Sequence, residues 1–259
     1  MTGTEQTPAA DPSATPGFRL AYVPGATPAK WVRIWNERLP GTPLTLVPVA
    51  VADVDGVLRG GEADAGLVRL PVDRTFFSAI PLYTETTVVV VPKDHVVAAV
   101  EEVTLADLAD EIVQHPLDDV LDWERPPGQP AFERPATTAD AIELVAAGVG
   151  LLIVPQSLAR LHHRRDLTYR TVTDAPGSAV ALAWPEERTT DQVEDLIGIV
   201  RGRTVNSSRG RTQPQPEKKP QKDKKPQNKT QKKPATSGRP RPGAKQPGPR
   251  RGGKPRKRS

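Results

Sequence analysis

The sequence predicts an α/β fold, a two-lobed body flanked by two extensions that lack a hydrophobic period. Three observations predict it. Strand-like and helix-like segments alternate from Phe18 to Val200, and such alternation implies a mostly parallel sheet with helices on both faces. The chain leaves one sheet near Thr84–Thr87 and returns near Thr173–Ser178, which makes two crossings between two lobes. Composition then sets the limits of the body. Residues 206–259 hold 19 Lys and Arg against two Asp and Glu, a net of +17, while residues 1–205 hold 17 basic and 29 acidic residues, a net of −12. The whole-chain value of +5 averages these two unlike parts.

Each element has a local reason. Phe18–Val23 reads as a strand, and PGATP turns it into a helix at Pro28–Leu39, where proline suits a first helical turn. Trp31, Ile34, Trp35 and Leu39 share one helical face, which suits core or dimer contact better than a binding platform, and Pro40-Gly41 stops the helix. Leu44–Val49 is a strand, Ala52–Arg59 a short helix ended by Gly60-Gly61, and Ala65–Leu70 a strand. Phe76–Tyr83 and Thr87–Val91 run extended, with β-branched and aromatic residues prominent. Leu105–Ala109 is a short helix and Glu111–Gln114 a strand. Residues 117–135 are Pro-rich and irregular, with Trp123 placed to line or cover a cleft. Thr138–Ala147 is a helix with Thr137 or Thr138 as N-cap and Gly148 as its stop. Leu151–Val154 is a buried strand, Gln156–Leu161 a helix, and Leu167–Val172 and Ala179–Trp184 are strands. Asp191–Val200 closes the body, with acid early and Arg201 and Arg203 late, as the helix dipole favours.

Composition also excludes functions. With no cysteine, the chain has no disulfide, thiolate metal site or thiol nucleophile. The four histidines, His95, His115, His162 and His163, form no HExxH, and neither GxSxG nor GxxxxGK[ST] occurs. Asp118, Asp119, Asp122 and Glu124 read as a solvated loop, not a metal site. No enzyme, metal site or cofactor is therefore expected. The N-terminus lacks a basic and apolar signal segment, and the most apolar runs, at Thr87–Pro92 and Gly148–Pro155, are too short for a bilayer crossing of about 20 residues. A cytoplasmic protein with no membrane partner is expected.

Four stretches resemble the effector-binding, or substrate-binding, domain of LysR-type transcriptional regulators. They are LRGGEADAGLV (Leu58–Val68), PLYTETTVVVVPKDH (Pro81–His95), VTLADLAD (Val103–Asp110) and TADAIELVAAGVGLLIVPQSLARL (Thr138–Leu161). The resemblance covers nearly all of Phe18–Arg203. It implies a type 2 periplasmic-binding-protein-like fold, with lobe I at about 18–85 and 178–203 and lobe II at about 88–172. It also implies an inter-lobe effector pocket and a homodimer paired through a helix and strand of the first lobe. The sequence departs from the family pattern in having only 17 residues before Phe18, too few for a winged helix-turn-helix and linker helix, and Val96-Val97 where the family has Pro-Leu.

In α/β sheets, ligands sit beyond the carboxyl ends of strands, where helix N-termini offer free N–H groups. The residues expected to line that pocket are Gly25, Ala26 and Thr27, Ala50 and Val51, Thr86 and Thr87, His115 and Pro116, and Thr137 and Thr138. Asp53, beside the second turn, would repel an anion. Residues 1–17 and 206–259 are expected to be disordered. The tail carries Lys218, Lys219, Lys224, Lys225, Lys232, Lys233, Arg239, Arg241, Arg250, Arg251, Lys254, Arg256, Lys257 and Arg258 among Pro, Gln and Gly, without an aromatic. Such a polycation grips DNA or RNA phosphates by counterion release, without base stacking, and would also visit the acidic body at the high local concentration of a tether. The expected function is a regulator-like protein that binds a small-molecule effector and nucleic acid. Two other readings stay open: a stand-alone binding protein with an incidental tail, and a module that pairs with full-length LysR-type regulators.

Overall fold

In the computed structural model, residues 17–203 are described; residues 1–16 and 204–259, with the basic tail 206–259, lie outside the described residues. Two mixed sheets organise the chain. The first has the strand order β2-β1-β3-β11-β4, from Phe18–Tyr22 (β1), Leu44–Pro48 (β2), Ala65–Arg69 (β3), Phe77–Glu85 (β4) and Ser178–Pro185 (β11). The second has the order β6-β10-β5-β9-β7-β8, from Thr87–Pro92 (β5), Glu102–Val103 (β6), Ile112–Gln114 (β7), Gln129–Pro130 (β8), Leu151–Pro155 (β9) and Leu167–Val172 (β10).

The sheets are less parallel than alternation alone suggests. β1 runs parallel to β2 and β3, but β11 is antiparallel to both β3 and β4. β5 is antiparallel to β9 and β10, while β7 is parallel to β8 and β9. β4 continues into β5, and β10 into β11, with no helix between them. β5 and β11, the strands that enter directly from the other sheet, are each antiparallel to both neighbours.

Helices Ala29–Arg38 (α1), Val54–Gly60 (α2) and Asp191–Val200 (α5) serve the first sheet. Their shared core centres on Trp35, Leu58, Leu67, Leu182, Val193 and Leu196. Trp35 is fully buried, stacks on Phe18 with centroids 4.7 Å apart, and donates from Nε1 to Thr42 O at 2.8 Å. Trp31 and Ile34 pack against the same core. Pro28 stands at the N-cap of α1, one position earlier than a first-turn proline, and offers no side-chain cap. Helices Thr138–Ala146 (α3) and Gln156–Leu161 (α4) cover one face of the second sheet, with Ile142, Val145, Leu152 and Leu158 in contact. The other face packs Val89, Val91, Leu108, Val113 and Leu151, and Trp123 rests against it.

Smaller elements depart from the sequence reading. Residues 105–109 form only a 3-10 turn at Ala106–Leu108, and a second such turn at Val96–Ala99 had no sequence signal. β8 falls inside the irregular stretch 117–135. The helix before β9 stops where expected. Gly148 and Gly150 have φ of 77° and 73°, and a β-carbon at Gly150 would lie 2.5 Å from Ile112 O.

Trp35→Ala should cost about 3–5 kcal/mol through lost burial and the cavity left behind. Chemical denaturation should show the midpoint falling with the slope unchanged.

Candidate functional site

Where the two sheets meet, the chain buries a charge. Arg69 ends β3, a strand buried at every position, and its side chain is 2% exposed. An unpaired guanidinium there would be strongly disfavoured. Its partners come from every segment that joins the lobes. Nη1 donates to Glu85 Oε2 at 2.9 Å and to Ser178 Oγ at 2.7 Å. Nη2 donates to Pro24 O at 3.1 Å and to Ser157 Oγ at 3.3 Å. Ser157 donates in turn to Glu85 Oε2 at 2.8 Å. Nε is buried with no acceptor among the described residues.

These partners occupy defined places. Glu85 is the last residue of β4 and Ser178 the first of β11, and they face each other in the ladder. Both crossings therefore touch the same guanidinium. Ser157 is the second residue of α4, on the second sheet, and Pro24 belongs to the turn after β1. The turn meets α4 closely at Gly25, whose φ is 85°. A β-carbon there would lie 2.3 Å from Ser157 Oγ and 3.0 Å from Arg69 Nη2.

The residues expected from sequence fall into two groups. Gly25 is part of the Arg69 cluster, and Ala26 is buried beside it in the first core. Thr27 is exposed. Thr86 is exposed at the first crossing, and its carbonyl accepts from the Gln156 N–H at 2.9 Å. Thr87 is buried, and its Oγ1 donates to Pro176 O at 2.5 Å, tying one crossing to the other. Ala50 is exposed, and its carbonyl accepts from the Asp53 N–H at 3.0 Å; Val51 packs on the first core.

The remaining four form a second group, and each is engaged in internal bonds. His115 Nε2 lies 3.2 Å from Pro127 O, and the carbonyls of His115 and Pro116 accept from Arg134. Thr137 makes a capping box with Asp140 at the start of α3. Thr138, 3% exposed, donates from Oγ1 to Asp118 Oδ1 at 2.9 Å. Burial holds the Asp119 carboxyl above the usual carboxylate range, against N–H bonds from Leu121 and Trp123. Thus α3 begins with a full side-chain cap and α1 with none. No cluster of His, Asp and Glu able to hold a metal occurs among the described residues, and none of their helices is long and apolar enough to cross a membrane.

Sequence reasoning missed Arg69, Glu85, Ser157 and Ser178. One signal was present: Arg69 is the lone charge in AGLVRL, an otherwise apolar strand. Lys and Arg are almost never fully buried unless paired, so a strand read as buried implied an acidic partner.

Two sheets joined by two direct crossings, with helix-starting turns where they meet, define the class of two-lobed, type 2 periplasmic-binding-like domains. The chain belongs to the LysR substrate binding domain family, whose model matches residues 19–204. It is 29% identical over 206 residues to a "Probable hydrogen peroxide-inducible genes activator" of Mycobacterium avium, covering 74% of this chain and 66% of that protein. It is 26% identical over 200 residues to the Hca operon transcriptional activator HcaR of Escherichia coli K12, covering 72% of this chain and 68% of that protein. It therefore spans about two thirds of either relative. The BenM effector binding domain with its effector benzoate shares the fold, with a TM-score of 0.61 at 20% identity over 73% of this chain and 92% of that one.

Removing the guanidinium alone should strand Glu85 as a buried charge. Arg69→Met is expected to cost roughly 3–5 kcal/mol, and Arg69→Met with Glu85→Gln should recover most of it. A double-mutant cycle by urea denaturation would measure the coupling, and additive losses would contradict a paired role.

Proposed function

We propose that this chain is a non-enzymatic, regulator-like protein of the cytoplasm. Its body binds a small-molecule effector between the two lobes, and its tail holds nucleic acid without sequence preference. The observation that carries the reading is the family match across residues 19–204, on a fold whose relatives include an effector domain bound to benzoate. Thr27 and Thr86 are exposed next to the cluster's Gly25 and Glu85 in the chain, and Ala50 is exposed on the turn after β2. Thr138 and Thr137 support this wall through their internal bonds, and Gly25, Ala26, Val51, Thr87, His115 and Pro116 shape it. The chain contains no cysteine, so it cannot respond to oxidants through thiol oxidation as peroxide sensors can.

The tail reading rests on charge alone. A net of +17 over residues 206–259 should neutralise several phosphates. Binding to random duplex DNA and single-stranded RNA, followed by fluorescence anisotropy, should weaken about a thousandfold between 50 mM and 200 mM salt if six or more phosphates are contacted. A chain ending at Val205 should not bind. Equal binding by the shortened chain would place the contact on the body, and no binding by either would leave the tail without this role.

Pairing with a second copy has its own support. α1 and the edge strand β2 border an open groove of about 510 Å³ in which Arg33 and Asn36 join the largely apolar Tyr22, Pro28, Ala29, Val32 and Leu46. Leu46 is an exposed large hydrophobic. The same groove suits the corresponding face of a full-length relative. Leu46→Arg should convert a dimer to a monomer in light scattering, with melting temperature little changed. An unchanged mass would remove this face from the assembly.

A further inference from the structure

We propose that the pocket at the end of α4 is a separate anion site, outside the inter-lobe cleft, and that it takes a small phosphate monoester with an apolar or aromatic body.

The pocket encloses about 190 Å³ on the second sheet. Local geometry builds it. α4 stops at Leu161, where the His162 N–H donates to Leu158 O at 3.1 Å and the His163 N–H to Arg160 O at 3.3 Å. The chain then turns through residues 164–166 into β10, whose Leu167 pairs with Pro92 at the end of β5. The Lys93 N–H donates to Asp166 O at 3.0 Å, which fixes the lysine beside that turn. Lys93, His162 and His163 therefore line one pocket. Lys93 and His163 are exposed and His162 is half-buried, while buried Val90, Ala159 and Leu167 supply apolar lining next to the Tyr169 ring.

The charge here runs against the rest of the body. Residues 1–205 carry a net of −12, yet 160–165 read RLHHRR, with no acid among them. The acids nearby are already engaged. Arg164 bonds both Glu143 and Asp166, the latter at 3.1 Å. Its hydrogen bonds hold the Asp166 carboxyl below the usual carboxylate range, and the Lys93 charge adds to this. Arg160 donates to Tyr169 Oη at 3.3 Å, and Arg170 to Thr168 Oγ1 at 3.1 Å. The side chains of Lys93, His162 and His163 have no hydrogen bond or ion pair among the described residues.

That division selects the ligand. A guanidinium is the planar fork that matches a carboxylate through two parallel bonds, and the Arg164 fork is occupied by the protein's own acids. What remains are separate point donors, one ammonium and two imidazoles. They suit a tetrahedral anion, whose three terminal oxygens accept from several directions and whose charge approaches −2 above its second pKa of about 6. The apolar lining suits the group esterified to it, and the volume suits one ring with one phosphoryl group.

Titration of the full chain with phenyl phosphate at physiological salt tests the proposal, followed through the histidine ring resonances in a proton–carbon correlation spectrum. All four histidines lie within residues 95–163, so the basic tail gives no signal. The His162 and His163 resonances, assigned from His162→Gln and His163→Gln, should shift and saturate while those of His95 and His115 stay still. Phenol should leave all four in place. Inorganic phosphate should bind about tenfold more weakly, because it buries no apolar area. Lys93→Gln should weaken phenyl phosphate about tenfold, as loss of a charge-assisted bond does, with circular dichroism native. No saturable shift of the His162 and His163 resonances overturns the site. So does undiminished binding by Lys93→Gln, and movement of His115 in place of the pair would assign the anion to the cleft instead. Equal affinity for inorganic phosphate and phenyl phosphate overturns the monoester assignment.

Discussion

One buried guanidinium constrains how the two lobes meet. Arg69 sits in a strand that is otherwise apolar and fully covered, so its charge must find partners from the protein itself. Those partners are the end of β4, the start of β11, the second residue of α4 and the turn after β1. Both crossings and one segment from each sheet therefore converge on a single side chain. Gly25 follows from the same constraint, because a β-carbon at that turn would collide with Ser157. Thr87 adds a second tie between the crossings through Pro176 O. The strands that arrive by these direct crossings, β5 and β11, are the ones antiparallel to both neighbours.

The starts of α1 and α3 differ in how they are capped. α3 is sealed by the Thr137–Asp140 box, and Thr138 is turned inward to Asp118. α1 begins at a proline that has no donor or acceptor side chain to offer. Unpaired polar capacity is thus left at the Arg69 Nε and at the first turn of α1, while the start of α3 is internally satisfied.

Much of this architecture was legible in the sequence because it is set locally. The helical spacing of Trp31, Ile34 and Trp35 identified α1, Thr137 or Thr138 marked the start of α3, and four motifs in order identified the family. Short elements were less legible. β6 and β8 are two residues long and exist through pairing with β10 and β7, which no local pattern records. The same holds for the site. Its threonines were recognised as residue types that bind ligands, but a sequence does not show that Thr138 is already bonded to Asp118. Arg69 and Glu85 are sixteen positions apart, and Arg69 and Ser178 more than a hundred, so their union depends on tertiary register. The basic tail is the opposite case, since its charge is plain in the sequence and its structure lies outside the described residues.

The most direct measurement is hydrogen exchange at the Arg69 side-chain Nε–H, read from its resonance in a proton–nitrogen correlation spectrum. Its absence from the Arg69→Met, Glu85→Gln spectrum would assign it. A buried guanidinium held by both crossings should exchange this proton far more slowly than the exposed arginines do, and Glu85→Gln should speed the exchange. If the Arg69 proton exchanges as fast in the native chain as those of the exposed arginines, this side chain does not hold the lobes together.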